Sequence, residues 1–207
     1  MPPQLLIDYF FHLKANMAGK NDFTKFFLHC SMFPTFCFTL PGLYNSGPRH
    51  WQTRWEELHG FTRIHQRDWD TPDKDDWIHT LNEIIAPFPP DQVILVGHSL
   101  SCITIAHWAH CFGRRIKGAF LVAPSDVEAA SFPSGTNGFD PIPLHQFPFP
   151  SILVASSNDG YISLERAELL ARRWGSRFVI AGDLGHINAS SGLGDWEDGY
   201  QLLQTLF

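Results

Sequence analysis

The sequence has little cysteine, and none of it is arranged to cross-link a fold or bind a metal. Four cysteines, Cys30, Cys37, Cys102 and Cys111, are spread over 207 residues without a CxxC pair. Disulfide scaffolds and zinc sites need denser, more regular spacing. On one helix Cys102 and Cys111, nine positions apart, would face opposite sides and could not bridge. We therefore expect free thiols and a cytoplasmic location.

Positive charge is also scarce. The chain has 15 Lys and Arg against 21 Asp and Glu, a net charge of −6, and it contains no dense basic run. Proteins that bind nucleic acid usually carry a basic patch. We therefore expect no nucleic-acid partner. A chain of this length can bury the core of one ordinary domain.

No apolar run is long enough to cross a membrane. The most apolar stretches near the start are LLIDYFFHL and FFLHCSMF, and Asp8 and His12 interrupt the first of them. A spanning helix needs about 18 uninterrupted apolar residues, and a targeting segment needs a preceding basic cluster. We expect no membrane association and interpret residues 1–31 as an N-terminal extension outside the core, with the domain spanning 32–207. The open alternative is that this segment is an integral element.

From Thr35 onward, short apolar runs alternate with helical patterns. Strand-like runs are TFCFTL, QVILVG, KGAFLVAP, SILVAS and SRFVIAG, with FTRIHQ as an edge strand. One helix is predicted from a cap-like Thr71 to Pro87, and another to end at Gly113. This alternation predicts an α/β domain with a doubly wound, mainly parallel sheet. In such sheets functional residues gather at the carboxyl ends of the strands.

One of these strand ends carries a candidate nucleophile. Residues 93–101 read VILVGHSLS, so a buried strand runs directly into Gly97, His98 and Ser99. A serine on a sharp strand-to-helix turn stands above the sheet edge, where a base can activate it. The alternative is that Ser99 only caps the following helix. That alternative would give His186, in a glycine-flanked loop, no role.

Two later strand ends supply the partners that such a serine needs. Asp159 lies in SSNDGYIS and His186 in DLGHIN, so the chain order is Ser, Asp, His, as in α/β-hydrolases. The histidine would accept the serine proton, and the aspartate would orient the imidazole. Asp126, after FLVAPS, competes with Asp159 for the second role. We favour Asp159 because its Ser, Asn and Gly neighbours form a turn that can project a carboxylate inward. Asp183 is interpreted as a turn residue.

The remaining site predictions concern backbone donors and cofactors. We expect the N–H groups of Leu100 and, in the loop PGLYNSG, of Leu43 to form an oxyanion hole. His107 and His110 share a helix face, but no third ligand accompanies them, so we expect neither metal nor cofactor. Most tryptophans are expected in the core, with a pocket-lining role left open for two of them, Trp51 and Trp69.

Several segments together resemble a known family. They are LPGLYNSGPRHWQTRWE, RDWDTPDKDDWI, GHSL, SSNDGYIS and GHINASSGLGDWEDG. They look like the small serine hydrolases typified by retinoblastoma-binding protein nine and its bacterial relatives. The resemblance covers about residues 35–207, and the block from GHIN to DWEDG is its most specific part. It implies a compact α/β-hydrolase fold without a large lid, with Ser99, Asp159 and His186 as the triad.

The chain departs from the family pattern in two places. In this family the sharp strand-to-helix turn that carries the nucleophile, called the elbow, usually has glycine where this chain has Ser101. We therefore expect crowding between strand and helix that a glycine would relax. The Leu-x-Cys-x-Glu pattern of retinoblastoma-protein binding is missing, because the nearest stretch, LHCSM, lacks the acid. That binding role is therefore not transferred, and no protein partner is assigned.

Two functions of different classes are consistent with these residues. The first is a serine hydrolase that cleaves a small ester, thioester or amide through an acyl-enzyme on Ser99. The second is a protein-binding module that kept the fold while its catalysis weakened, an alternative suggested by Ser101. A fluorophosphonate probe separates the two, because it labels a functioning nucleophile.

Overall fold

The computed structural model describes residues 34–207, in which six strands form one sheet. The strands are β1 (Phe36–Leu40), β2 (Thr62–Arg63), β3 (Val93–His98), β4 (Gly118–Val122), β5 (Ser151–Ala155) and β6 (Arg177–Ile180). Their spatial order is β2-β1-β3-β4-β5-β6, and every adjacent pair is parallel. The predicted fold class is confirmed, with FTRIHQ contributing a short edge strand. The proposed extension, residues 1–31, lies outside the described residues and stays a prediction.

Helices cover both faces of this sheet. They are α1 (Trp51–His59), α2 (Lys74–Ile85), α3 (Leu100–Phe112), α4 (Leu164–Trp174) and α5 (Glu197–Gln204). Side chains alternate along the central strand, so Leu95 packs against the cluster under α2, α3 and α4, while Ile94 and Val96 pack against the cluster under α1 and α5. Both faces of the sheet are therefore buried, which is why its strands read as continuous apolar runs.

Two helix ends were predicted from the sequence. The structure confirms the end of α3 and corrects the residue that caps the start of α2. Gly113 ends α3 in the left-handed conformation, with φ of 57°, as predicted. Thr71 does not cap α2. Asp73 does, because its carboxylate accepts the N–H groups of Asp75 and Asp76. The Thr71 hydroxyl instead donates to Asp68 in the preceding turn.

The core contains most of the tryptophans, and the cysteines of this region are unpaired. Trp51, Trp55, Trp77 and Trp108 are all buried. Cys37, Cys102 and Cys111, the cysteines within the described range, are free thiols. Between residues 34 and 207, none of the helices has the length and apolarity needed to cross a bilayer.

Candidate active site

Ser99 sits on a sharp turn between β3 and α3, in a backbone conformation that side chains rarely adopt. Its φ is 58° and its ψ is −123°. A residue other than glycine held there is strained, and such strain needs support from the surrounding structure. The Ser99 N–H donates to the Val122 carbonyl at 3.0 Å, which ties the turn to the end of β4. The Ser99 side chain makes no capping hydrogen bond to α3, so helix capping does not explain this serine.

Two glycines allow the backbone to pack closely around this turn. A Cβ on Gly42 would lie 2.7 Å from Ser99 Cβ and 2.9 Å from the His98 carbonyl oxygen. A Cβ on Gly97 would lie 2.7 Å from Ile105 Cδ1. Real Cβ atoms do not approach heavy atoms so closely. The loop after β1 therefore contacts the elbow only because residue 42 has no side chain.

Ser101 makes a hydrogen bond that the sequence did not reveal. Its side chain is fully buried, and its hydroxyl donates to the Pro41 carbonyl at 2.5 Å. The expectation that a glycine would relax this position stays a prediction. The hydroxyl satisfies a carbonyl in the loop after β1 and joins that loop to α3.

The structure brings Ser99, His186 and Asp159 together at the carboxyl edge of the sheet. His186 Nε2 lies 2.8 Å from Ser99 Oγ. On its other side, His186 Nδ1 lies 3.0 and 2.9 Å from the two carboxylate oxygens of Asp159. A carboxylate only accepts, so Nδ1 carries a proton and donates it, which leaves Nε2 free to accept from the serine hydroxyl when the ring is neutral.

The competing aspartates are engaged elsewhere. Asp126 Oδ1 lies 3.4 Å from Arg166 Nε in an ion pair, and Arg166 also pairs with Glu128. Asp183 accepts a hydrogen bond from the Ser157 hydroxyl at 2.6 Å. Of the three aspartates considered from the sequence, Asp159 alone bonds to His186 in the described part of the chain.

One further histidine packs against His186 and a second packs against the first, and burial favours the neutral form of both. The His98 ring lies 5.0 Å from the His186 ring and 4.7 Å from the His50 ring. Desolvation lowers the pKa of His98 well below its ordinary value, and it lowers the pKa of His50 from 6.5 to about 3. A neutral His98 donates from Nε2 to the His186 carbonyl at 2.9 Å. The residue before the nucleophile therefore also holds the backbone of the base.

A tryptophan in α1 holds the same loop from the other side. Trp51 Nε1 donates to the Ile187 carbonyl at 2.8 Å, although 136 positions separate the two residues. Both neighbours of His186 have a positive φ, which is 58° for Gly185 and 45° for Ile187. The sequence suggested a core or pocket role for Trp51, whereas this bond positions the residue after His186. No local sequence signal could have revealed a contact between such distant positions.

Gln52, next to Trp51, joins two strand ends below the site. Its side chain is fully buried, and Nε2 donates to the carbonyls of Leu40 and Val96, both at 3.0 Å. Its Oε1 accepts the Ser46 hydroxyl at 2.8 Å. No sequence signal singled out Gln52, because a glutamine in an amphipathic helix usually faces solvent.

A small cavity opens above Ser99 and His186. Its volume is about 160 Å³, and its lining carries no Asp, Glu, Lys or Arg side chain. Its walls include apolar atoms of Leu43, Phe132 and Tyr161. Neither Trp51 nor Trp69 is among the lining residues, so the open pocket role for them is not supported. The site can hold a small, uncharged group against the serine hydroxyl.

Of the residues predicted to supply the oxyanion donors, one is in the cavity lining and the other follows Ser99 in the chain. Leu43 lines the cavity and follows Gly42, the residue packed against the elbow. Leu100 is the first residue of α3, where N–H groups have no acceptor within the helix. Their role toward a substrate oxygen stays a prediction.

The two helical histidines considered as metal ligands make other contacts. His107 Nε2 hydrogen-bonds the Phe139 carbonyl at 2.9 Å, and the His110 ring stacks on His145. Within the described range, no cluster of three or more His, Cys, Asp or Glu is arranged to hold a metal ion.

Comparison with known proteins shows which family and which solved structures the chain is similar to. A family model described as serine hydrolase matches residues 37–205. The chain is similar to a Pectobacterium atrosepticum protein described as a YdeN-like hydrolase, with 31% identity, a TM-score of 0.72, and coverage of 84% of this chain and 90% of that chain. The ydeN gene product of B. subtilis is 20% identical, with a TM-score of 0.68, over 84% of this chain and 98% of that chain. A monoacylglycerol lipase of Paleococcus ferrophilus is 14% identical, with a TM-score of 0.60, over 84% of this chain and 96% of that chain. No curated protein matches the chain.

Proposed function

The chain belongs to the serine hydrolase family, and from this premise we propose that it cleaves a small ester, thioester or amide through an acyl-enzyme on Ser99. The observation that carries the proposal is the continuous set of hydrogen bonds from Asp159 through His186 to Ser99. Nucleophile, base and orienting carboxylate are in contact, which is the arrangement that acyl transfer by serine requires.

In the first half of the proposed reaction, Ser99 Oγ attacks the acyl carbon while its proton passes to His186 Nε2. The electron pair of the carbonyl π bond moves to the carbonyl oxygen, where the N–H groups of Leu43 and Leu100 would stabilise the charge. The imidazolium formed by His186 is stabilised by the Asp159 carboxylate. When the carbonyl re-forms, the leaving group departs with the proton from Nε2, and the acyl group remains on Ser99.

In the second half, water takes the position of the leaving group. His186 Nε2 accepts a water proton, the resulting hydroxide attacks the acyl carbon, and the bond to Ser99 Oγ breaks. The proton returns from Nε2 to Ser99 Oγ, so the enzyme is regenerated. His98 and Trp51 support both halves, because their bonds to the carbonyls of His186 and Ile187 keep the imidazole in place.

The cavity indicates what kind of acyl group fits. With about 160 Å³ and no charged side chain in its lining, it favours a short, neutral acyl group over a carboxylate- or amine-bearing one. Substrates of this class are small molecules.

The free thiols of Cys37 and Cys102 are compatible with the reducing cytoplasm, which we propose as the location.

The second candidate function is a binding module with weakened catalysis. It was suggested by Ser101, but that residue donates to the Pro41 carbonyl and does not displace the elbow. The intact contacts from Asp159 to Ser99 favour the hydrolase.

A fluorophosphonate probe tests the proposal directly. We expect the wild-type chain to be labelled at low probe concentration and the Ser99→Ala variant not to be labelled, because the probe reacts with an activated serine. A series of p-nitrophenyl esters of increasing acyl length would then rank the substrates, with the shortest preferred. An unlabelled wild-type protein that is folded by circular dichroism would favour the binding module.

A further inference from the structure

A second serine contacts the nucleophile, and no sequence pattern pointed to it. Ser125 Oγ lies 2.8 Å from Ser99 Oγ, and the bond is buried. Ser125 has a relative exposure of 1% and lines the cavity with Ser99 and His186. Ser99 Oγ therefore has two hydrogen-bond partners, one on each side.

The loop after β4 holds Ser125 at this position. Ala123 has a positive φ of 47°, so the chain turns sharply as it leaves the strand. Its N–H donates to the Val154 carbonyl at 2.8 Å. After Ser125, the Asp126 N–H donates to the Tyr161 carbonyl at 3.1 Å. Backbone bonds to the neighbouring strand and loop therefore fix both sides of Ser125.

The available protons assign a direction to the bond between the two serines. His186 Nδ1 donates to Asp159, so with a neutral ring Nε2 can only accept. Ser99 has one hydroxyl proton and gives it to Nε2. The Ser99 oxygen must then accept from Ser125. The hydrogen bonds run from Ser125 to Ser99 to His186.

We propose that Ser125 is a positioning residue that orients the Ser99 hydroxyl for attack, an inference that rests on the proposed hydrolase function. A hydroxyl on Cβ can rotate among three staggered positions. The Ser125 donor occupies one lone pair of Ser99 Oγ, which keeps the Ser99 proton directed at His186 and leaves the other lone pair for the substrate. It also donates to the oxygen that becomes electron-rich as its proton leaves.

The Ser125 proton itself does not move in this step. Ser99 Oγ forms the bond to the acyl carbon, its proton passes to His186 Nε2, and the π electrons go to the carbonyl oxygen. Ser125 keeps its proton and donates a hydrogen bond throughout. It therefore adds no leaving group or co-reactant to the reaction.

A distant serine pair supplies a matched control. Ser151 Oγ lies 2.7 Å from Ser176 Oγ, and Ser151 is also buried. Ser151 begins β5, so it lies at the amino-terminal end of a parallel strand, away from the edge that carries Ser99. Ser151→Ala removes the same kind of bond without touching the site.

The test compares Ser125→Ala, Ser125→Thr and Ser151→Ala with the wild type, by fluorophosphonate labelling rate and by the burst phase of p-nitrophenyl acetate hydrolysis, which gives the acylation rate constant and the substrate Kd separately. We expect Ser125→Ala to lower the labelling rate and the acylation rate constant about tenfold, with the substrate Kd within twofold, because a misoriented nucleophile slows chemistry but not binding. Ser125→Thr keeps a hydroxyl and should recover most of the rate. Ser151→Ala should label at the wild-type rate, with thermal melts checking the fold of each variant.

Several results would overturn the proposal. Wild-type labelling together with an unchanged rate in Ser125→Ala would reject the role of Ser125 and leave the hydrolase function standing. A raised substrate Kd with an unchanged acylation rate constant would make Ser125 a part of the pocket wall only. A folded Ser125→Thr variant as slow as Ser125→Ala would also count against orientation by a hydroxyl. An unlabelled wild type would reject the hydrolase function, and the role of Ser125 with it.

Discussion

At the scale of single residues, the site depends on a strained serine that its neighbours hold in place. Ser99 keeps its positive φ because its N–H bonds to Val122 and because the loop at Gly42 packs directly on it. The strain raises the free energy of the folded state, and the surrounding contacts offset it. Small changes in those contacts should therefore affect reactivity more than overall folding.

Substitutions in the triad should affect hydrolysis as a unit. We expect Ser99→Ala and His186→Ala each to remove nearly all turnover of an activated ester, and the double variant to be little worse than either. Asp159→Asn should lower kcat by about 10⁴, because the amide would favour the wrong imidazole tautomer. Asp126→Asn is the control and should be mild, since Asp126 pairs with Arg166. An active Ser99→Ala enzyme would contradict the mechanism.

A methyl group at residue 42 should disable the elbow. Gly42→Ala would place a Cβ 2.7 Å from Ser99 Cβ and 2.9 Å from the His98 carbonyl oxygen, so either the loop or the serine must shift. We expect labelling by a fluorophosphonate to fall at least 100-fold, since displacements near 1 Å cost about that much. Gly47→Ala, in the same loop with no atom within 4 Å of the added Cβ, should label normally. Equal labelling of the two variants would refute the argument.

At the scale of elements, α1 organises the site from below. Its first residue, Trp51, bonds to the carbonyl after His186, and its second, Gln52, bonds to the ends of β1 and β3. The helix is itself fixed by the His50 cap, whose Nδ1 accepts the Gln52 N–H, and by Gly60 at its end. One short helix therefore connects the loop that carries His186 with the ends of β1 and β3.

Removing the Gln52 amide should destabilise this connection. Gln52→Leu keeps a similar volume but removes the buried side-chain hydrogen bonds to the Leu40 and Val96 carbonyls and to the Ser46 hydroxyl. We expect the free energy of unfolding to fall by about 2–4 kcal/mol in urea titrations. Gln201→Leu, at an exposed position of α5, should change it by no more than about 0.5 kcal/mol. A Gln52→Leu variant as stable as the wild type would show that these bonds contribute little.

At the scale of the whole molecule, the buried histidines link stability to pH. Burial holds the pKa of His50 near 3, against 6.5 for a free histidine, so the folded state excludes a proton that the unfolded state binds. Between these values the unfolded chain carries more protons. The contribution of His50 to the free energy of unfolding is therefore fully present above about pH 6.5 and decreases as the pH falls below that value.

Replacing His50 should reduce this pH dependence. His50→Asn retains a side chain that can cap α1 but does not titrate. We expect the loss of unfolding free energy between pH 7 and pH 5 to be smaller in the variant by about 2 kcal/mol. Gln201→Asn, at an exposed residue that does not titrate, should keep the wild-type slope. Urea titrations at pH 5, 6 and 7 measure all three slopes, and equal slopes for the wild type and His50→Asn would contradict the burial argument.

The sequence by itself determined the fold class and the candidate nucleophile, because both depend on local patterns. Alternating apolar runs and helical spacing specify strands and helices, and parallel strands require their carboxyl ends to meet at one edge. The run from Val93 into Ser99 showed where a turn must be sharp, and Gly113 showed where α3 must end. These signals involve neighbours in the chain, so an unaided reading of the sequence can find them.

Only the tertiary structure decided which distant groups meet. It placed Asp159 rather than Asp126 against His186, and it gave Ser101 a partner in Pro41 where the sequence suggested crowding. It also brought Ser125 to the nucleophile. Each of these choices joins residues 26 or more positions apart, and each depends on strand order and loop direction to within an ångström. Hydrogen bonds have that short range, so no local pattern in the sequence encodes them.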